Sequence, residues 1–353
     1  MHVSSTILAA ALATTIAALP DQRRQQSKCA PFSGDFSIKQ YQLYPENADF
    51  DFNSCKLYVG QLWNASLGIY DPYTTKHEIV EFDGISHNSA FHMGAVNVNR
   101  NTGLVSIIAD AAMAFPSQGQ DISGTNWLLL FDPVKKALIY KVNLTETSQG
   151  FYGGFQDIEH DPENNAFVVG TWPSSLLKVS PDGKTVTPWY LPEKIVPTEK
   201  GIGGIAALGW TLLAQGDASG SIWKFDLKAA KGVPVPVKIT KGNHTFAASD
   251  AIYLPPKYSG EVLLVAEDNV GISVFYSKRA KWDKAEFKGL IALGEADIKA
   301  GTAVVTPAQV GGSIYLVTEP FGDEGLQGPG SAGGREVFPF KDISKEVEAL
   351  LKA

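Results

Sequence analysis

Asp157 in GGFQDIEH and Asp250 in ASDAIY are the residues of this chain with the clearest chemical potential. Two carboxylates brought to one place can bind a divalent cation or share a proton. Each can equally accept hydrogen bonds from loop amides, which is the commoner duty of such aspartates. His87 and His92 flank NSAF in SHNSAFHM, and two imidazoles could join a metal site. No carboxylate lies beside them in the sequence, so satisfied loop histidines are the simpler reading.

Several catalytic signatures fail on inspection. Residues 328–333 read GPGSAG and match G-x-G-x-x-G, but a dinucleotide site needs that turn to open a helix. GREVFPF follows instead, so this is a glycine loop between strands. Ser331 in the same loop lacks a nucleophile elbow because Pro329 takes the first glycine position. The segment 49–53, DFDFN, opens like a calcium loop, but Ser54 replaces the turn glycine and Gly60 stands where the bidentate Glu belongs. With only Cys29 and Cys55 present, a cysteine zinc site is excluded.

The elements that must position these residues are strands. Short β-branched or aromatic runs alternate with Gly, Pro, Asn and Asp, as in KLYVGQL (56–62), NWLLLFD (126–132), AFVVGT (166–171) and EVLLVAE (261–267). A degenerate repeat aligns 49–82, 92–144, 153–191, 201–239, 246–291 and 301–340. A spacing of roughly 40 to 50 residues is that of four-stranded propeller blades. One blade cannot cover both of its faces, so neighbours must stack around an axis. The fold class expected is all-β, a six-bladed β-propeller over 36–340. FSIKQYQL (36–43) supplies the outermost strand of the last blade, and a Cys29–Cys55 disulfide pins it to the first. In 341–353, Ile343, Val347, Leu350 and Leu351 recur at helical spacing with Asp342 as cap, giving a short helix packed on the outside; a partner-binding helix is the sharper alternative.

In such a ring the starts of the inner strands converge on one mouth of the axial channel, where ligands sit. The residues placed there are His92, Met93, Gly94; Phe155, Gln156, Asp157; Gly203, Gly204; Ser249, Asp250; and Gly301, Thr302. The glycines let backbones crowd the axis. Aromatic side chains in the connectors, Phe91, Phe115, Phe151, Tyr152, Trp172 and Phe321 among them, pack between blades, and any surplus makes an apolar pocket with few polar anchors. The ligand-binding set expected is Met93, Phe155, Asp157, Trp172, Asp250 and Thr302, holding a small hydrophobic molecule or lipid with no cofactor.

Composition bounds the rest. Of 353 residues 44% are hydrophobic and 19% charged, enough for a large core and too little charge for wholesale disorder. A net charge of −7 and a pI near 5.4 argue against nucleic acid, whose phosphates need a basic face. Residues 1–18 read as a signal peptide, with an apolar run at 7–19 too short to span a bilayer. Residues 19–35 form a processed or flexible segment in which Arg23-Arg24 offers a dibasic cleavage site. No transmembrane segment follows. Sequons at Asn64, Asn143 and Asn243 fall at expected turns or strand ends. The expected product is a secreted, extracellular monomer.

AALPDQ after the leader (17–22), SPDGKTVT (180–187), GGREVFPF (333–340) and the order of six units resemble a fungal family of secreted propellers. That family holds the Malassezia β-propeller major allergen and the trichothecene biosynthesis cluster protein fourteen. The resemblance implies a secreted six-bladed propeller. Its allergen member is associated with lipid binding in an apolar cavity, its cluster member with trichothecene production and plant virulence and with no assigned reaction. No catalytic residue carries over. The alternative is an enzyme similar to the metal-dependent lactonases of the same architecture, with Asp157, Asp250 and Glu319 holding Ca²⁺ or Zn²⁺ as a Lewis acid. The chain departs from those enzymes in lacking an E-G-P-x-W segment at the first blade and an Asn-Gly segment with a downstream Asp. A third reading is a surface-interaction or virulence protein acting through the propeller rim.

Overall fold

In the computed structural model, which describes residues 28–353 apart from 197, 217–219, 243, 247 and 327, the repeats fold as six sheets around one axis. The leader, the Arg23-Arg24 pair and Asn243 lie outside the described residues. The inner strands are Pro45–Asp51, Phe91–Val98, Gly153–His160, Ile202–Leu208, Ser249–Tyr253 and Thr302–Val310. Each packs against the next, and the last packs back on the first, so the ring closes as a six-bladed propeller.

The near-continuous apolar runs follow from burial on both faces. Successive side chains of a strand point to opposite faces, so an inner blade strand needs both to be apolar. In Val105–Ala111, Ile107 and Ala109 enter the core shared with blade one, beside Tyr58, Leu67 and Met93. Ile108 turns the other way, into the core shared with blade three, beside Phe155, Ile158 and Val168. Six such cores alternate with the six blades. Each fully buried Leu, Ile or Phe in them contributes about 2 kcal/mol of apolar burial.

The seam closes as the sequence implies. Phe36–Lys39 pairs with Val337–Asp342 as the outer strand of blade six, Phe36 opposite Phe340. Cys29 and Cys55 are disulfide-bonded, tying the leading segment to the turn between the first two strands of blade one.

Two boundaries differ from the repeat alignment. The inner strand of blade one starts at Pro45 rather than Asp49, which brings Glu46 to the axis. Unit four does not keep Ile239: Lys238–Lys241 joins blade five, parallel to Lys284–Ala292. The reason lies in VPVPV (233–237). Pro234 and Pro236 cannot donate ladder bonds, so the outer strand of blade four shrinks to Val235–Pro236 and the chain moves on. The C-terminal helix runs Ser344–Lys352, with Val347 buried between blades five and six. Asp342 Oδ1 accepts the Ser344 amide at 3.0 Å, but the N-cap position is Ile343, one residue later than expected, and it carries no side-chain cap. Among the described residues no helix is long and apolar enough to cross a membrane.

Candidate functional site

All six inner strands carry a register shift near the end at which they enter the ring, at the second or third residue in blades one, four and five and at the fourth in blades two, three and six. Such a bulge re-aims a side chain away from the ladder. Blades one, three and five place Glu46, Gln156 and Asp250 there; blades two, four and six place Gly94, Gly203 and Val305. The small residues are needed. A Cβ on neighbouring Gly204 would lie 2.6 Å from the Ile252 amide nitrogen, because the backbones of blades four and five touch.

A second tier of carboxyls comes from the ends of the second strands: Asp110 in Val105–Ala111, Asp268 just past Val262–Glu267, and Glu319 in Ser313–Pro320. Asp110 is the cross-strand partner of His92. Glu319 accepts the Trp63 indole N–H at 2.9 Å, and the Trp63 ring stands edge-on to His92 at 4.9 Å and to Phe321 at 6.4 Å. Beside this tier lies a cavity of about 350 Å³ lined by Asp268, Asn269, Gly301, Ala303, Phe321 and Gly322. A larger groove of about 520 Å³, near Lys257, Tyr276, Lys288 and Leu351, is on the outer flank of blade five and far from these groups.

Burial sets the charge state. Glu46 is pushed well above the usual carboxylate range by burial, and further by Glu319, Asp110 and Asp268. Asp250 is pushed up likewise by burial, Glu46 and Asp268, with Lys200 opposing. Burial lifts Asp110 to about 8 and holds Glu319 well above its ordinary value against the Trp63 hydrogen bond. His92 is driven down to about 4 by the same loss of solvent. These groups are therefore neutral at mildly acidic pH. Glu46 Oε2, both carboxyl oxygens of Asp110, Glu319 Oε2 and His92 Nε2 are buried and have no partner within the protein. Buried polar atoms are nearly always hydrogen-bonded, so a cluster of orphans at one mouth marks a place where something else supplies the bonds.

The other end of the axis is organised by Arg100, although the Tyr253 hydroxyl beside it is also buried without a partner within the protein. Arg100 bonds Asp49 and the Phe50 carbonyl, and Asp49 Oδ2 accepts the Val98 amide at 2.8 Å. Two serine–histidine contacts also occur. His160 Nε2 meets Ser106 Oγ at 2.9 Å and its Nδ1 meets Asn97 Oδ1 at 3.0 Å, so an amide rather than a carboxylate holds the second ring nitrogen and the set is a hydrogen-bonded part of the interior. Ser273 and Glu267 both meet the same His244 nitrogen, Nε2, whereas a proton relay needs both ring nitrogens.

The expected residues divide by environment. Asp250 falls in the register shift of the blade-five inner strand, where it feels the charges of Glu46 and Asp268, and Thr302 starts the blade-six inner strand, ladder-paired with Pro320. Met93 and Phe155 are fully buried in the cores between blades one and two and blades two and three. Trp172 packs with Ala114, Ile122 and Phe115 under the long blade-two loop. Asp157 accepts the amides of Ile158 and Ile205 at 2.9 and 2.8 Å, the loop-amide duty, although burial still lifts it to about 7. Among the described residues no three His, Cys, Asp or Glu side chains group as metal ligands. The mouth is polar and acidic, unlike the apolar pocket expected. Asn64 sits in a turn and Asn143 ends its strand, as expected for sequons.

Glu46, Asp110, Asp268 and Trp63 were not anticipated. A signal was present: the second strands of blades two, five and six end alike, in SIIAD, LLVAED and YLVTE, each an apolar run closed by acid.

Residues 25–294 match the family model described as Mal s 1 allergenic protein-like. The chain is 32% identical over 344 residues to trichothecene biosynthesis protein 14 of Trichoderma arundinaceum, covering 92% of each. It is 29% identical to core trichothecene cluster protein 14 of Fusarium sporotrichioides, covering 92% of this chain and 88% of that one. The crystal structure of the major Malassezia sympodialis allergen Mala s 1 superposes with a TM-score of 0.75 at 21% identity, covering 88% of this chain and 96% of the allergen.

Proposed function

Because the chain belongs to the Mal s 1 allergenic protein-like family, we propose that it is a secreted fungal binding protein associated with trichothecene production, acting without catalysis. Its ligand is a small, largely apolar molecule, an oxygenated sesquiterpenoid or a lipid, held at the mouth where the inner strands begin. The observation that carries this reading is the set of buried, unpartnered polar atoms of Glu46, His92, Asp110 and Glu319, with Trp63 and Phe321 as apolar walls. The Cys29–Cys55 bridge and the apolar leader favour export. The two curated relatives, one named for trichothecene biosynthesis and one for the core trichothecene cluster, favour the toxin context over a general lipid carrier.

The test is titration of the purified protein with a trichothecene and with dodecanoate, followed by tryptophan fluorescence and calorimetry. Saturable binding of at least one is expected. Phe321→Ala removes a half-exposed ring and should weaken it about fivefold, the size of one aromatic contact. Absence of saturable binding by both would remove the proposal.

A further inference from the structure

We propose that the mouth selects a neutral, acceptor-rich ligand, one with ether, epoxide, ester or ketone oxygens on an apolar body, and holds it by O–H donation from Glu46, Asp110 and Glu319. This rests on the binding reading above and adds the chemistry of what is bound.

The argument begins from three orphans that are almost wholly enclosed. Glu319, Asp110 and His92 are 0%, 1% and 2% exposed, and each has at least one side-chain atom without a protein partner. They come from different strands: His92 is ladder-paired with Asp110, Trp63 links His92 to Glu319, and Glu46 feels the charges of Glu319 on blade six, Asp110 on blade two and Asp268 on blade five. The titratable groups facing this site are Glu46, Asp110, Asp157, Asp250, Asp268, Glu319 and His92, with Lys200 beside Asp250. At the rim, Arg335 bonds both oxygens of Asp323, and Tyr44 donates to the same carboxylate at 2.9 Å. Among the described residues the cations acting on these acids are Lys200, on Asp250, and Arg335, which draws Glu319 down against its burial.

Several ionised carboxyls cannot share such a space without strong repulsion, so the empty site keeps its protons. A protonated carboxyl donates one hydrogen bond. A cationic ligand would first have to drive off those protons. An anionic head would find donors only while every neighbour stayed neutral. A neutral oxygen acceptor meets donors that are already in place, and the cavity of about 350 Å³ beside Phe321 can take its apolar body.

The sign of the pH effect follows. The donors exist below the raised pKa values and vanish as pH rises through them, with Asp110 at about 8. A trichothecene ester is the neutral probe, with dodecylammonium and dodecanoate as charged ones. Its affinity should fall at least tenfold from pH 5 to pH 9, and dodecylammonium should bind weakly throughout. Glu319→Gln keeps a donor and the Trp63 bond, so it should retain affinity at pH 5 while flattening the pH profile. Glu319→Ala should lose affinity at both. The infrared carbonyl band of protonated carboxyls should be present in the unliganded protein at pH 7 and smaller in Glu319→Gln. Tighter binding of dodecylammonium, affinity rising with pH, or absence of that band would overturn the neutral-donor site while leaving a binding protein standing. No binding of any probe at any pH would defeat the binding reading itself.

Discussion

Asp157 of blade three accepts the backbone N–H of Ile205 on blade four at 2.8 Å, while its other oxygen takes the amide of Ile158. Asp49 repeats the arrangement between blades one and two, with Phe50 and Val98 as donors. Inner strands of different blades do not share a ladder, so their facing amides need such a bridge.

Asp157 and Asp250 should therefore respond oppositely to substitution. Asp157→Ala strands two buried N–H groups and should cost about 2–6 kcal/mol, at roughly 1–3 for each unsatisfied group. Asp157→Asn keeps one acceptor and should cost less than half of that. Asp250→Asn removes a carboxyl that Glu46 and Asp268 already oppose, and should leave stability unchanged or higher. Urea unfolding of the three variants decides it; equal losses at both positions would mean that the clasp is not the reason for Asp157.

Stability should depend on pH through the mouth acids. A buried carboxyl with a raised folded pKa binds a proton that the unfolded chain has released. The folded state then loses about 1.4 kcal/mol per pH unit per group across the window between the two values. For Asp110 that window runs from the unfolded carboxylate range, about 4, up to about 8. The melting temperature of the unliganded protein should fall as pH rises from 5 to 8. Asp110→Asn should reduce the slope and melt higher than the parent at pH 8. A flat profile in the parent would contradict the buried, unpartnered state of this carboxyl.

The ring was legible because its cause is local and repeated: every blade needs two apolar faces and a turn every few residues. The closing strand and the bridge to Cys55 could be read from the leftover segment and the cysteine pair. The mouth was only partly legible. Asp250 and Gly204 could be placed by aligning strand starts. Glu46 was missed because the first unit was begun four residues late, at Asp49 rather than Pro45. Asp110 and Asp268 were missed because second strands were treated as plain core, although their acids sit where the chain leaves the sheet. Phe155 and Met93 have the right strand position but point into inter-blade cores, and a single-residue shift in a bulge decides which way they turn.

Trp172 should report on two glycines, one opening the inner strand of blade three and one in the blade-two loop. A Cβ on Gly154 would lie 2.5 Å from its ring and one on Gly119 2.3 Å, and both glycines have positive φ, +65° and +76°. Alanine at either site meets steric overlap and backbone strain together, costing about 2–4 kcal/mol. Gly154→Ala should also free the loop at 112–126, seen as a red shift in tryptophan emission and faster proteolysis there. Gly84 has positive φ but open space around it, so Gly84→Ala should cost only about 1 kcal/mol and is the control.

The disulfide should govern how the ring opens. Cys29 and Cys55 are separated by 26 residues, and cross-linking a loop of that length is worth about 3 kcal/mol in the chain-entropy account. Its position matters more than its size. The segment it tethers carries Phe32, which packs on Phe36, Tyr73 and Tyr315, and leads into the strand whose Phe36 stacks on Phe340 at 4.8 Å. That strand, Phe36–Lys39, joins Val337–Asp342 in one sheet, so losing it exposes the edge of Val337–Asp342. Cys29→Ser with Cys55→Ser should lower stability by about 3 kcal/mol. Amide exchange should then quicken first at 36–39 and 337–342, before any change in blades three and four. Uniform acceleration across all blades would show instead that the ring unfolds as one unit and that the bridge does not guard its seam.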